Sequence, residues 1–295
     1  MDYSFLDPNK IYKTAIVGAW GDMFASYAHV SLISRLTPLK KFDVLYYGYD
    51  RYIKDFLELQ ENINEVTWVE PKNKEEYEEI AKESGNTESK NWITNIFGAD
   101  SKDIISTHLN SFPKLKEIYI RNFDYKLPET NIEIKENSIL FNPYSMQSVP
   151  LRGHWRFIPD ALEWLLKNTD WNIVMIGQDK YHHVKWGITE FPIFVNHPKL
   201  QNLVGKTESM LDVLAVVGKC QGMITTSNCL SMWSIVSQKP TIVMLNSMLA
   251  DPKRDTSVYY FRKWIECHPN TLLGYWATTE DFIKAVETWK SNIGV

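Results

Sequence analysis

Short apolar runs bounded by polar turns alternate with stretches of helical periodicity along most of the chain. In the first half, "KTAIVGA" (13–19), "FDVLYYGY" (42–49) and "VTWVE" (66–70) are rich in β-branched and aromatic residues and read as strands. Apolar positions three and four apart predict helices over 22–36 and 50–60. A third helix is expected over 73–84, where "KNKEEYEEIAKE" forms a solvated face. Residues 84–137 are less regular and support no assignment.

The pattern then begins again. "SILFNPYS" (138–145) is an apolar strand running into a polar loop, followed by a helix over 159–168 with Pro159 suited to its first turn. Strands at "WNIVMIGQ" (171–178) and "PIFVNH" (192–197) come next, then a helix over 208–219. "GMITTS" (222–227), a helix over 229–237 and "TIVMLN" (241–246) continue the alternation. In "TTEDFIKAVETWKS", Thr278 and Asp281 have capping-box spacing ahead of an amphipathic helix, 278–290. Alternating strands and helices predict an α/β protein, with parallel sheets covered on both faces. The double start predicts two such domains, 1–135 and 136–295, with the boundary near "EIKEN" (133–137). The final helix is a candidate either to complete the second domain or to pack back on the first.

Ligands of open parallel sheets bind beyond the carboxyl ends of the strands, where the strand order reverses. The loops "GAWGD", "NPYSMQS", "GQDK", "TTSN" and "LNSM" are therefore where chemistry is sought. Composition narrows the classes. A length of 295 residues fits two domains of similar size, and 44% hydrophobic with 23% charged residues is ordinary for a soluble globular protein. A net charge of −4 argues against an extended nucleic-acid footprint. No apolar run reaches the roughly 18–20 residues of a membrane span. The start, "MDYSFLDPNK", is unlike a secretory signal or transit peptide. A cytoplasmic protein is expected, with attachment to the inner face of a membrane left open. Cys220, Cys229 and Cys267 show neither zinc spacing nor a disulfide framework, and His182–His183 reads as a surface pair. No metal and no resident cofactor are expected.

In Gly18-Ala19-Trp20-Gly21-Asp22, the glycines permit unusual backbone angles and close approach of a ligand. On spacing alone Asp22 is a helix cap, because the helix dipole stabilises its charge and makes it a poorer base. The loop lacks the order of the dinucleotide fingerprint, and "NLVGKT" (202–207) lacks the first glycine of a phosphate loop, since position 200 is Leu. "MITTSNCLSMW" carries hydroxyls and an amide from a strand into a helix, so Ser227 and Asn228 are either caps or part of an anion site. Ser145 and Ser148 lie in a strand-end loop with Arg152 close behind, and a planar guanidinium suits a pyrophosphate. Trp20 and Trp155 are candidates to stack on a sugar or base, although core packing is the simpler role for any one of eleven tryptophans.

Taken in order, these segments resemble the heptosyltransferase family of lipopolysaccharide synthesis, glycosyltransferase family 9. "GAWGDMFASYAHVSLISRLTPLKKFDVLYYG" is similar to that family's opening strand, Gly-Asp loop and helix. "YIKDFLELQENINEV", "ILFNPYS", "RGHWRF", "NLVGKTESMLDVLAVVGKC" and "ITTSNCLSMWSIVSQKPTIVM" look like its later segments. The likeness covers most of the chain except 84–137 and 247–277. It implies a GT-B fold of two facing Rossmann-like domains with an interdomain cleft, the first binding the acceptor and the second a nucleotide-diphosphate sugar. It implies inverting, metal-independent transfer, with Asp22 as general base, Trp20 and Gly21 on the acceptor side, and Arg152 at the donor phosphates. Ser145, Ser227, Asn228 and Ser231 match donor-contacting segments. One departure stands out. Where the family block reads Asp-x-Gly-x-x-His, this chain has Ser227-Asn228-Cys229-Leu230-Ser231-Met232, so either the donor differs from ADP-heptose or catalysis has been lost. Two other readings therefore stand beside a transferase: a non-catalytic nucleotide-sugar binding protein, and a sugar-nucleotide epimerase of the same architecture. The expected acceptor is a glycan or lipid-linked glycan; a modified nucleic-acid base fits the acidic balance less well.

Overall fold

The structure is a computed structural model that describes residues 11–21, 23–24, 27, 30–31, 34, 41–73, 75–76, 92–94, 125–143, 158–178, 180–183, 187–190, 196–226, 228–246, 271–276 and 278–293. The chain divides into two compact units, Met1–Pro128 and Glu129–Val295.

The first unit is built on β1 (Tyr12–Val17), β2 (Phe42–Tyr47), β3 (Ile63–Val69) and β4 (Trp92–Thr94), in the order β3-β2-β1-β4. All three pairings are parallel. Helix α1 occupies the described positions from 20 to 34, and α2 spans Arg51–Glu58. Along β2, Phe42, Val44 and Tyr46 are buried on one face, the period-2 pattern of a strand. Phe24 and Tyr27 of α1 meet Phe56 of α2 edge to face, with centroids 5.9 and 5.8 Å apart, a favoured aromatic geometry. Gln60, just past α2, is buried and binds Lys126 twice, its Nε2 donating to Lys126 O (3.1 Å) and its Oε1 accepting from Lys126 N (2.8 Å).

Thr14 of β1 is fully buried, and its Oγ1 has no partner among the described residues. A buried hydroxyl without a partner carries its desolvation cost uncompensated. Thr14→Val, equal in shape, is therefore expected to leave stability unchanged or raise it by up to about 1 kcal/mol. Urea unfolding checks this; a loss of stability would mean that the hydroxyl is bonded.

The second unit contains β5 (Ser138–Asn142), β6 (Asn172–Met175), an antiparallel hairpin of β7 (Lys180–His183) and β8 (Gly187–Glu190), then β9 (Leu200–Asn202), β10 (Gly222–Thr226), β11 (Thr241–Asn246) and β12 (Thr271–Trp276). Its main sheet has the order β12-β11-β10-β5-β6-β9, with every pairing parallel. The first strand of the unit thus lies centrally, the next two on one side and the last three on the other, so the winding reverses between β5 and β10. Every residue of β5 and β10 is buried, as expected of central strands covered on both faces. The helices are α3 (Ile158–Asn168), α4 (Met210–Lys219), α5 (Cys229–Ser237) and α6 (Thr279–Ile293).

Helix α6 begins with the expected capping box, Asp281 N donating to Thr278 Oγ1 (3.1 Å) and Thr278 N to Asp281 Oδ2 (3.0 Å). Its Phe282, Val286 and Trp289 join α3 and the strands in the core of the second unit. Trp289 meets Trp171 at 5.7 Å, and Lys290 Nζ lies 5.1 Å from the centre of the Trp171 ring. Lys239 donates from Nζ to the carbonyls of Gly218 and Cys220 at the end of α4, where a cation offsets the negative end of the helix dipole. Residues 129–137 are held to this unit by side chains: Lys219 Nζ donates to Thr130 O and Ile132 O, Gln201 Nε2 to Glu133 O, and Asn172 Nδ2 to Glu136 O.

The periodicity locates α5 and β11 at 229–237 and 241–246, where they are observed. It does not locate β4, β9, β12 or the β7–β8 hairpin. Of the strand expected at 192–197, only Asn196 and His197 are described, and neither is in a strand. The strand beside β6 is instead Leu200–Asn202, whose residues are all half-buried, so an apolar run does not mark it. Most of the helix expected at 73–84 lies outside the described residues, as does Cys267.

Candidate functional site

In the first unit the winding reverses between β1 and β4, and the loop after β1 is Gly18-Ala19, running directly into Trp20-Gly21 at the start of α1. Gly18 has φ 128°, a region that side-chain-bearing residues rarely enter. This angle lets its N–H donate to Tyr47 O (3.2 Å) while its carbonyl accepts from Tyr46 Oη (3.4 Å). Gly48 meets it from β2, where a Cβ would stand 2.8 Å from Gly18 O. Two glycines therefore bring the ends of β1 and β2 together. Met23 N donates to Ala19 O (2.9 Å) and starts α1.

Trp20 is 8% exposed and packs against Phe24 and Phe56. Its Nε1 donates to Asp50 Oδ2 (2.6 Å), while Asp50 Oδ1 accepts from Tyr52 N and caps α2. The indole is thus a strut between the starts of two helices. Gly21 is half-buried in the first turn of α1. Asp22 lies outside the described residues.

In the second unit the reversal point is occupied by a compact polar group. Asn142 closes the otherwise apolar β5 and is 6% exposed. Its Nδ2 donates to Ile176 O (3.1 Å), just beyond β6. Its Oδ1 accepts from Asn228 Nδ2 (2.6 Å), and Thr225 Oγ1 on β10, with one proton to give, lies 3.3 Å from Asn142 Oδ1 and 3.2 Å from Asn228 Oδ1. Asn228 caps α5, its Oδ1 accepting from Leu230 N (2.9 Å) and Ser231 N (3.4 Å). Ser231 is fully buried, and its Oγ accepts from Asn228 N (3.1 Å) and donates to Asn228 O (2.6 Å). Asn228 is thus placed at the strand-end crevice, and Ser231 behind it, inside the capping box. Ser145, Arg152, Trp155 and Ser227 lie outside the described residues.

No acidic residue stands in the first turn of α5, so the positive end of its dipole is not neutralised from within. Burial pushes the Cys229 thiol up to about 11, with the N–H groups of Leu230 and Cys229 acting in the opposite direction. At neutral pH this thiol is uncharged and is not a nucleophile. These amides and hydroxyls bond to one another and to backbone groups, which ties the start of α5 to the end of β5. Among the described residues, no group of three or more His, Cys, Asp or Glu side chains could hold a metal ion, and no helix is long and apolar enough to cross a membrane. Asn142 and Thr225 open the loops "NPYSMQS" and "TTSN" where chemistry was sought, but sequence reading gave neither a role. The available signal was a polar residue closing a strand whose middle is apolar.

No protein-family model and no curated protein match the chain. Solved structures do. A glycosyl transferase of family 9 from Veillonella parvula superimposes with a TM-score of 0.56 at 12% identity, covering 97% of this chain and 98% of its own. The E. coli ADP-heptose LPS heptosyltransferase II gives 0.55 at 10% identity, covering 97% and 100%. The E. coli heptosyltransferase WaaC with ADP gives 0.55 at 10% identity, covering 94% and 98%. Over nearly its whole length, with little sequence in common, this chain has the fold of the family 9 glycosyltransferases.

Proposed function

We propose that this protein is a glycosyltransferase that moves a sugar from a nucleotide-diphosphate donor to an acceptor hydroxyl, with inversion and without a protein-bound metal. The observation that carries the reading is the amide and hydroxyl group at the reversal point of the second sheet, in a chain that shares its fold end to end with heptosyltransferases. One of those neighbours is an ADP-heptose enzyme and another is described with ADP, which supports a nucleoside diphosphate as the group held here. The altered block Ser227–Met232 fits either a donor other than ADP-heptose or a loss of catalysis.

The reaction is a single in-line displacement. The acceptor oxygen attacks the anomeric carbon, its proton passes to the Asp22 carboxylate, and the bond to the diphosphate breaks with inversion. Arg152 and the start of α5 receive the charge gathering on the leaving group. The sequence contains no Asp-x-Asp, consistent with protein groups in place of a metal. Ser145, Ser227 and Asn228 bind the donor, Ser231 holds the cap, and Trp20 and Gly21 support the acceptor side. A glycan or lipid-linked glycan is the acceptor class.

A panel of nucleotide sugars tested by thermal shift and by release of nucleoside diphosphate checks the reading. At least one donor is expected to raise the melting temperature by several degrees, since a ligand at 100 times its Kd adds about 2.7 kcal/mol. Release should require an added acceptor. Stabilisation without turnover across a broad acceptor panel would instead make this a binding protein, the reading favoured by the altered 227–232 block. A rearranged sugar nucleotide formed without acceptor would make it an epimerase. No stabilisation by any donor would end all three.

A further inference from the structure

The amides of Asn142, which is buried, and Asn228, which is half-buried, have their orientations imposed from opposite ends. Ile176 offers Asn142 only a carbonyl, so Nδ2 must face it. The first turn of α5 offers Asn228 only N–H groups, so Oδ1 must face them. The two ends left over, Asn142 Oδ1 and Asn228 Nδ2, are an acceptor and a donor, and they meet at 2.6 Å. A one-way series of hydrogen bonds results, from the N–H groups of α5 through Asn228 and Asn142 to the carbonyl beyond β6. It crosses the point where the sheet reverses its winding.

We infer that Asn142 is a positioning residue for the donor site: through Asn228 it holds the start of α5 at a fixed spacing from the end of β5. This rests on the glycosyltransferase reading for its role, although the series of bonds itself does not. An apolar side chain at 142 would remove the bond from Asn228 Nδ2 and take the donor away from Ile176 O. A carboxylate would keep the bond from Asn228 but turn an oxygen toward Ile176 O, where a donor is required. A protonated carboxyl restores that donor, because it offers one O–H and one accepting oxygen. Burial raises a carboxyl pKa, so the restored form extends upward in pH from the ordinary carboxylate range.

The experiment uses the full chain, Asn142→Asp and Asn142→Ala, with ADP, UDP, GDP and CDP as probes in equilibrium binding at pH 8.0 and 5.5. Amide exchange of residues 229–234 is followed relative to wild type at each pH. One hydrogen bond of ordinary strength corresponds to roughly threefold to tenfold in affinity. Asn142→Asp is expected to weaken binding by about that factor at pH 8.0, with faster exchange in 229–234, and to return toward wild type in both readouts at pH 5.5. Asn142→Ala should be weakened at both values. Weakened binding with unchanged exchange would mean charge repulsion alone and would overturn the inference, as would an Asn142→Asp effect that ignores pH. If the wild type binds no nucleoside diphosphate, the functional reading fails while the exchange data still decide the role of Asn142. Should the variants not fold, the wild-type side chains suffice: the NH2 groups of Asn142 and Asn228 should exchange at least about tenfold more slowly than exposed asparagines, and free exchange overturns the inference.

Discussion

Asp22→Asn is expected to lower the rate of sugar transfer by roughly 10²–10⁴-fold, the usual contribution of a positioned general base, while nucleoside diphosphate affinity stays within about twofold. The substitution separates two roles that sequence spacing leaves entangled. Asparagine matches aspartate in size and its Oδ1 can accept the same hydrogen bonds, so the change is expected to leave folding intact. What disappears is the ability to accept a proton from the acceptor hydroxyl as it attacks. A carboxylate beside a helix N-terminus is a weak base, since the dipole favours its charged form; it suits a hydroxyl that gives up its proton late, as the new bond forms. Steady-state kcat measured beside calorimetric Kd for the nucleotide checks this. Undiminished transfer would remove Asp22 as the base.

The second large effect is on stability. Gly222→Ala is expected to destabilise the protein by about 1–3 kcal/mol, the usual cost of overpacking a filled core. A Cβ at 222 would stand 2.7 Å from Trp289 Cη2 and 2.9 Å from Pro240 O. Neither neighbour can retreat cheaply. Trp289 is 1% exposed and lies against Trp171, and Pro240 O accepts the N–H of Met223 at 2.9 Å. The entropy removed from the unfolded chain by the added methyl offsets only about 0.4–1 kcal/mol. Urea unfolding followed by tryptophan fluorescence measures the change. A midpoint equal to wild type would mean that the indole shifts without loss.

Where a segment had to be amphipathic or wholly apolar to exist, the sequence was legible. Helix α5 and strand β11 are flanked by polar turn residues and match their expected bounds, and the Thr278–Asp281 box marks the start of α6. The short strand β9 was not legible, because "LQN" owes its conformation to pairing with β6 rather than to its own residues. The site divides in the same way. Asn228 was recognisable because a cap is local, needing only the next three residues. Asn142 was not, since its partners lie 34, 83 and 86 positions away at Ile176, Thr225 and Asn228, and only the folded sheet assembles them. For Trp20 too the fold supplies what the sequence does not show: its N–H finds Asp50, 30 positions on.

The indole pair Trp171–Trp289 has a bearing on biosynthesis. Strand β5 enters the shared core through Ile139 and Phe141, whereas α6 supplies Phe282, Val286 and Trp289 to the same cluster. Roughly 150 residues of nascent polypeptide must therefore leave the ribosome before that cluster can close, at a synthesis rate of about 5–20 residues per second. Until then the apolar surface of β5, β6 and α3 has no cover from α6, and the half-made second unit is a natural client for chaperones. The first unit need not wait for α6, because Gln60 and Lys126 can meet before α6 is translated.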